Sequence, residues 1–508
     1  TPPTNSGFIP PSPLPPQGQI RPPSVTPAPL PDPLRVPSQQ LPAQPTNPPQ
    51  LTPQPAQTQS PLLPAPALTP APAPLISPAI NPTASGAAVP TTSFGSEYIA
   101  DDSCEISGDV CEPMFIGGGG GYQNLFGNQS FLRINTPLTF HMLDFQNRQT
   151  DKELRILQDG PRPGEGPSIT FGGQFRATAL YGETNTENRF PYLGRFPPDF
   201  VGTRATDIRM LQSNQAFVFH GNSWAHGYFE TLFSDVFTFN SFEQGSFQVR
   251  QAYVVLGDLN ANPFYLFAGK KNVPFGDFRT LSPFSQAMPW HYFAGLAEGG
   301  GVGFSSNGLS AQAMALAGGR GIRVVDSEGI GQIENFAANV RYDAELSDNV
   351  AVGIGAGYLR GTIYDANVAE HTDPTVFGPF NGAWDINGSL HVGALRLGAE
   401  FVQTEEAWPV TGARVTAWQA EAAYDFFLGG TPCTFSGSYS EGRQGPAGSE
   451  FEFNRQLIVG LKAQPSRNAF LTVEYVRSTG FAPLIGITRA SDRGVEQNSM
   501  VAGIVLAI

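Results

Sequence analysis

Residues 167–508 predict an all-β chain that closes as a transmembrane antiparallel up-and-down β-barrel of about 16 strands, preceded by a Pro-rich disordered or polyproline segment. Three observations predict it. Apolar and polar residues alternate with a period of two. The alternating segments have lengths near the roughly 9–11 residues that a tilted membrane strand needs. The connections between them are long and short in turn, as short turns on one side of a membrane and long loops on the other require.

Residues 1–90 read as a tether. They hold 29 of the chain's 48 prolines and only three charges, Arg21, Asp32 and Arg35. Stretches such as "PPSPLPPQ" and "PAPALTPAPAPL" have no apolar pattern from which a core could be built. Fully extended at about 3.1 Å per residue, the segment reaches roughly 280 Å. Residues 91–166 form a transition with a five-glycine run, Gly117 to Gly121, and the mixed segment "FLRINTPLTFHMLDF". Two readings stand for it: a small periplasmic module, or a plug-like segment tucked into the barrel mouth.

From residue 167 the alternation is strict. In "SITFGGQFRATALY", Ile169, Phe171, Phe175, Ala177, Ala179 and Tyr181 alternate with Ser168, Thr170, Gln174, Arg176 and Thr178. Side chains alternate faces along a strand, so one face is apolar and the other polar or charged. "TAWQAEAAYDF" repeats the pattern with Trp418, Ala420, Ala422, Tyr424 and Phe426 against Gln419, Glu421 and Asp425. Segments of this kind fall near 168–182, 207–221, 224–238, 246–257, 263–271, 299–306, 308–317, 333–343, 349–362, 384–392, 394–404, 413–426, 432–441, 453–463, 468–478 and 498–508. A soluble β-sandwich also alternates. Against it stand mid-strand Arg and Glu on the polar face and aromatics at strand ends (Tyr181, Tyr342, Tyr358, Tyr424), where an interfacial girdle belongs.

Composition narrows the function classes. Only 14% of residues are charged and the formal net charge is -14, which disfavours nucleic-acid binding. No run of 18 apolar residues occurs, so no transmembrane helix is indicated. The opening "TPPTNSGFIPP" lacks the features of a signal peptide and reads as a processed, exported chain. Cys104 and Cys111, in "DDSCEISGDVCEP", are spaced for a small disulfide loop, which implies an oxidising compartment; Cys433 is left over.

The search for catalytic chemistry finds little. The six histidines form no HExxH, and no phosphate-binding glycine motif is present. Ser223 and His226 are close in "GNSWAHG" but sit at a tight turn without a third partner. The reading is therefore not an enzyme, with no cofactor and no metal site. A lumen is the better candidate, because a sixteen-strand barrel is wide enough for water and its lining sets selectivity. Inward-phase bases are Arg176, Arg250, Arg341, Arg396 and Lys462; inward acids are Glu230, Glu400, Glu421 and Asp425. Cross-strand pairing of these charges is the competing structural reading.

The longest connection, 272–298, is rich in Phe and Pro, contains Trp290 and has three charges. A solvated loop would be more polar. Folded inward, it would narrow the lumen and present Lys270 or Lys271, Asp277 and Arg279 to a solute. Only one of the two lysines can face the lumen in a regular strand; the other reaches the head groups.

"RQAYVVLGDLNANPFYLFAGKKNVPFGDF", 250–278, resembles the LbtU-like siderophore porin family, whose members carry a pattern of the type "EAY-x-x-LG(N/D)L…PFY…G…Y-VPFG-x-F". The likeness extends loosely over 167–508. It implies an outer-membrane β-barrel porin that passes ferric siderophores or other small solutes by diffusion. The chain departs from that family in its Pro-rich tether, where members have a coiled-coil-like segment, and in ending "MVAGIVLAI" with Ile508 in place of a terminal aromatic. The last segment offers no inward polar set in this reading, which points to contact with the N-terminal module or another subunit.

The expectation is thus an outer-membrane channel for passive diffusion in a Gram-negative-type envelope, with both termini periplasmic and outer-membrane lipid around it. By analogy with such barrels the assembly is a homotrimer. The alternative is a structural anchor whose Pro-rich arm tethers the barrel to the cell wall or a surface layer.

Overall fold

In the computed structural model the described residues are 123–124, 131–148, 150–159, 166–186, 202–234, 246–317, 333–365, 380–449, 452, 454–480 and 494–508. The expectations for residues 1–90 and for the Cys104–Cys111 pair lie outside them.

The chain begins with two short strands, β1 (Gln123–Asn124) and β2 (Leu132–Ile134), and two short helices, α1 (Thr136–Leu143) and α2 (Lys152–Gln158). Then come β3 (Ser168–Thr184), β4 (Arg204–His220), β5 (Ala225–Ser234), β6 (Ser246–Leu256) and β7 (Phe264–Asn272). The inward connection carries α3 (Met288–Phe293). After it follow β8 (Leu296–Ser306), β9 (Leu309–Ala317), β10 (Ile333–Ser347), β11 (Val350–Leu359), β12 (Ala383–Val392) and β13 (Leu395–Trp408). The last five are β14 (Ala413–Leu428), β15 (Thr431–Arg443), β16 (Asn454–Ser466), β17 (Ala469–Gly480) and β18 (Val495–Ala507).

Strands β3 to β18 pair in sequence order, each antiparallel to the next, and β18 returns to pair with β3. The result is a closed antiparallel barrel of sixteen strands without a free edge. Each expected segment coincides with one strand. Strands β10 and β13 each run four residues further than the alternation indicated, to Ser347 and Trp408. Both carry a register shift, between Glu345 and Ser347 and between Gln403 and Ala407, and a bulge of this kind breaks the period-two signal without ending the strand. The "SSNG" turn joins β8 to β9 with Asn307 and Gly308 both at positive φ (50° and 78°), the backbone that a two-residue hairpin prefers.

The sidedness is the inverse of a soluble protein. Outward side chains such as Phe247, Phe264, Ile354 and Ile386 are more than half exposed, whereas inward Arg341, Glu230, Gln174 and Glu400 are buried. Tyr181, Tyr342 and Tyr424 lie on the outer face near strand ends, where an aromatic girdle sits in a membrane barrel.

The N-terminal segment enters the barrel beside β18. Below the point where β18 stops, β2 takes its place and pairs in parallel with β3, Leu132 opposite Ile169. Asn135 then caps α1, its side chain accepting from Leu138 N–H (3.2 Å), with Pro137 in the first turn. Helix α1 lies against the inner wall: Phe140 stacks on Phe470 at 4.7 Å and packs with Val505 and Ala507, and Gln174 donates to Leu143 O (3.0 Å). The last strand therefore does meet the N-terminal segment. It also has inward polar groups, Gln497 and Ser499, contrary to the sequence reading; they fall at its start, beyond the apolar run that drew attention.

Candidate functional site: a lumen filled from two directions

Residues 273–295 leave β7 and run inside the barrel, almost all of them buried. Gly276 takes a left-handed backbone (φ 73°) that turns the chain onto the wall, and the Phe278 ring occupies the space a Cβ would need there. With little regular structure of its own, the loop must find partners for its backbone N–H groups. Inward acids of the wall supply them in order. Asp385 on β12 accepts from Gly276 N (3.1 Å). Glu400 on β13 accepts from Asp277 N (2.8 Å) and Phe278 N (3.1 Å). Glu421 on β14 accepts from Leu281 N (2.8 Å) and Thr280 Oγ1 (2.7 Å). On β16, Gly460 leaves room for Pro283, whose ring lies where a side chain would project. Glu474 on β17 accepts from Phe284 N and Ser285 N, both at 3.0 Å. The loop is thus tied to four strands by four carboxylates, and then turns back so that Met288 N meets Ser440 Oγ (3.2 Å) on β15.

Side chains complete the seat. Arg341 on β10 binds Asp277 (2.9 Å), Asp343 (2.8 Å), Asn387 (3.1 Å) and Ser389 (3.0 Å). Arg279 also reaches Asp277, at 3.4 Å. Burial pushes the Asp277 carboxyl up, but Arg279 and Arg341 together outweigh it and hold it below its ordinary value. Rings of Phe293, Tyr364 and Trp408 pack edge to face in succession at 5.4 Å.

The N-terminal segment fills the lumen from the other side and touches the loop. Thr280 N donates to Gln146 O (3.0 Å), Gln146 Nε2 to Phe284 O (2.6 Å), and Gln286 Nε2 to Phe145 O (2.7 Å). Arg176 on β3 pairs with Asp144 (3.1 Å). Arg250 on β6 pairs with Glu230 on β5 (3.3 Å) and lies over the Phe145 ring at 4.2 Å. Lys271 on β7 pairs with Glu153 on α2 (2.8 Å) and lies 4.4 Å from the Phe267 ring centroid. Burial raises Glu153 above the ordinary carboxylate value, with Lys271 pulling it back.

The candidate residues therefore divide. Lys271 points into the lumen, while Lys270 points outward and donates to Val249 O (2.9 Å). Arg176, Arg250, Arg341, Asp277, Arg279, Glu400 and Glu421 come together around the two inner segments as their ties, instead of standing open to a passing solute. Arg396 stands apart near a short turn, paired across strands with Asp425 (2.8 Å). Lys462 lies over the Phe470 ring (4.7 Å). Cys433 is a buried free thiol. His226 meets His220, Nδ1 to Nδ1, at 2.9 Å. Among the described residues no group of three or more His, Cys, Asp or Glu side chains is arranged to hold a metal ion. Sequence reasoning passed over Asp385, Glu474 and Glu153. The first two carried the same signal as Glu400, an acid in the inward phase of a strand.

These features define a class: a closed sixteen-strand barrel, apolar outside and polar inside, with its lumen narrowed by an N-terminal segment and an inward loop. No family model matches the chain. It is 24% identical over 369 residues to the "UPF0422 protein" of Coxiella burnetii (strain RSA 493 / Nine Mile phase I), covering 70% of this chain and 71% of that one. Among solved structures it is similar to the outer membrane channel DcaP of Acinetobacter baumannii (12% identity, TM-score 0.46, 69% of this chain and 99% of that one). It is also similar to an anion-selective porin from Comamonas acidovorans (11% identity, TM-score 0.45, 67% and 100%). At these values the barrel rests on its own pairing ladder, not on the likeness.

Proposed function

We propose that the protein is an outer-membrane channel through which small solutes diffuse without energy input, its bore set by residues 131–159 and 273–295. One observation carries the reading: a closed barrel with a lipid-compatible outside turns a continuous set of charged and amide side chains toward its axis. A barrel serving only as a membrane anchor has no need of a lining loop held at successive strands. The experiment is single-channel recording of the purified full chain in planar bilayers. Discrete ion currents are expected; a barrel that inserts and passes none sinks the proposal.

The finer reading, ferric siderophores as solute, rests on the resemblance of residues 250–278. Liposome uptake of a ferric siderophore against a sugar and an anion of similar size tests it, and equal or slower siderophore entry removes it. A homotrimer remains the assembly proposed by analogy, to be read from the mass of the detergent-solubilised protein. The anchoring reading keeps one support: the lumen is occupied by a segment continuous with the Pro-rich arm. Deleting 1–90 separates the two, because anchoring predicts a loosened envelope with currents unchanged.

A further inference from the structure

We infer that one sector of the inner wall binds hydroxyl-rich, uncharged solutes of the saccharide class. The inference rests on the channel reading and names its solute. Its starting point is where the lumen's charges go. The inward bases Arg176, Arg250, Lys271 and Arg341 end on carboxylates, and the wall acids Glu400, Glu421 and Glu474 end on the loop backbone. Buried polar atoms without a partner occur on charged and uncharged side chains alike, and one run of uncharged ones falls on three adjacent strands.

The sector is a lateral row. Ser440, Gln456, Ser478, Gln497 and Thr184 are successive cross-strand partners on β15, β16, β17, β18 and β3. All five are buried and none is ionisable. Both amide atoms of Gln456, Ser478 Oγ and Gln497 Oε1 have no hydrogen-bond partner. The rest of the row is engaged and fixes its geometry. Ser440 Oγ accepts from Met288 N at 3.2 Å, and Gln497 Nε2 donates to Ser499 Oγ. The neighbouring row toward the short turns is Ser438, Ile458, Val476 and Ser499, so two apolar side chains lie beside the amides.

The chemistry follows from the inventory. Gln456 alone offers two donors and an acceptor, and Ser478 offers both kinds. Leaving such atoms buried and unpaired is costly, and a solute dense in hydroxyls pairs donors and acceptors alike. Ile458 and Val476 suit the C–H faces of the same solute. A charged solute fits poorly, because it would shed water where no counter-charge stands. The row lies at the long-connection end of the barrel. Gln456 and Gln497 are near the starts of β16 and β18, and Ser440 and Ser478 near the ends of β15 and β17. That is the end where the channel reading places the outer mouth.

The test uses the full chain in planar bilayers with potassium chloride carrying the current. Maltotriose is the neutral probe, trigalacturonate the acidic one and the chitosan trimer the basic one. Maltotriose should interrupt the current at concentrations about tenfold below those of the charged trimers, and Gln456→Leu should raise its half-blocking concentration by about tenfold. Ser478→Ala, a smaller change, should weaken the block by about threefold. Unchanged salt conductance in both variants shows that the barrel is intact. Equal block by all three trimers, or wild-type block in both variants, overturns the saccharide site. Salt current without any effect of maltotriose overturns it as well and leaves the channel standing. Absence of any current overturns the channel and the site together.

Discussion

The wall and the segments inside it meet the same backbone requirement in opposite ways. Strands β3 to β18 satisfy one another through the ladder, so their outward side chains have only to be apolar. Residues 131–159 and 273–295 have three short helices between them and depend on particular wall side chains: Glu474 for Phe284 and Ser285, Gln174 for Leu143, Lys271 for Glu153. The same strand is therefore permissive on one face and exacting on the other. An inward charge in this barrel is first a structural tie, and selectivity has to be sought in what remains.

That contrast can be broken at its strongest point. Glu153→Gln leaves Lys271 buried without a counter-ion, a change that costs about 3–5 kcal/mol. The N-terminal segment should lose its seat and single-channel conductance should rise; unchanged conductance means that Lys271 does not hold it. The wall answers next. Ile354→Arg, in the middle of β11 on the lipid face, should destabilise the barrel by about 2–4 kcal/mol in refolding titrations, whereas Ile354→Leu should be silent. Removing Glu400 and Glu421 together, as alanines, should loosen the loop by about 1–3 kcal/mol for each lost anchor. Proteolysis within 275–290 would report it, and deletion of those residues should raise conductance; a deletion without effect would mean that the loop does not set the bore.

A smaller effect should appear with pH. Burial lowers Lys152 on α2 from its ordinary 10.5 to about 8, against the raising pull of Glu230. Once released into water the lysine regains its ordinary value. Between about 8 and 10.5 only the released form carries the proton, so the seated form gains as pH rises through that window. Open probability should fall across it, and a rise would reverse the assignment. Lys270→Met, outside the lumen, should leave conductance unchanged.

The wall was legible because its rule is short. Alternation along "TAWQAEAAYDF" places Trp418 outside with Glu421 inside, and the same period admits only one of Lys270 and Lys271 to the lumen, which the structure shows to be Lys271. The unusual aromatic content of 273–295 also pointed inward. The partners of the acids were not legible. In the sequence Glu400 and Glu421 look like charges facing a solute, because the groups they bind, backbone N–H, are common to every residue type except proline and leave no signature. Helices α1 and α2 span 8 and 7 residues, too short for a helical period to stand out, so the sequence leaves the entry of this segment into the lumen as one of two readings.

The junction at Gly172 and Gly173 couples two parts of the molecule. Gly173 exchanges both backbone hydrogen bonds with Ile508, and Thr139 of α1 donates to the same Ile508 carbonyl (3.4 Å). A Cβ on Gly172 would fall on Thr139. The seam that completes the cylinder and the doorway of the inner segment are thus one place. Zipping β18 onto β3 builds the acceptor that Thr139 of α1 uses, so the closure of the cylinder and the seat of the helix stand or fall together.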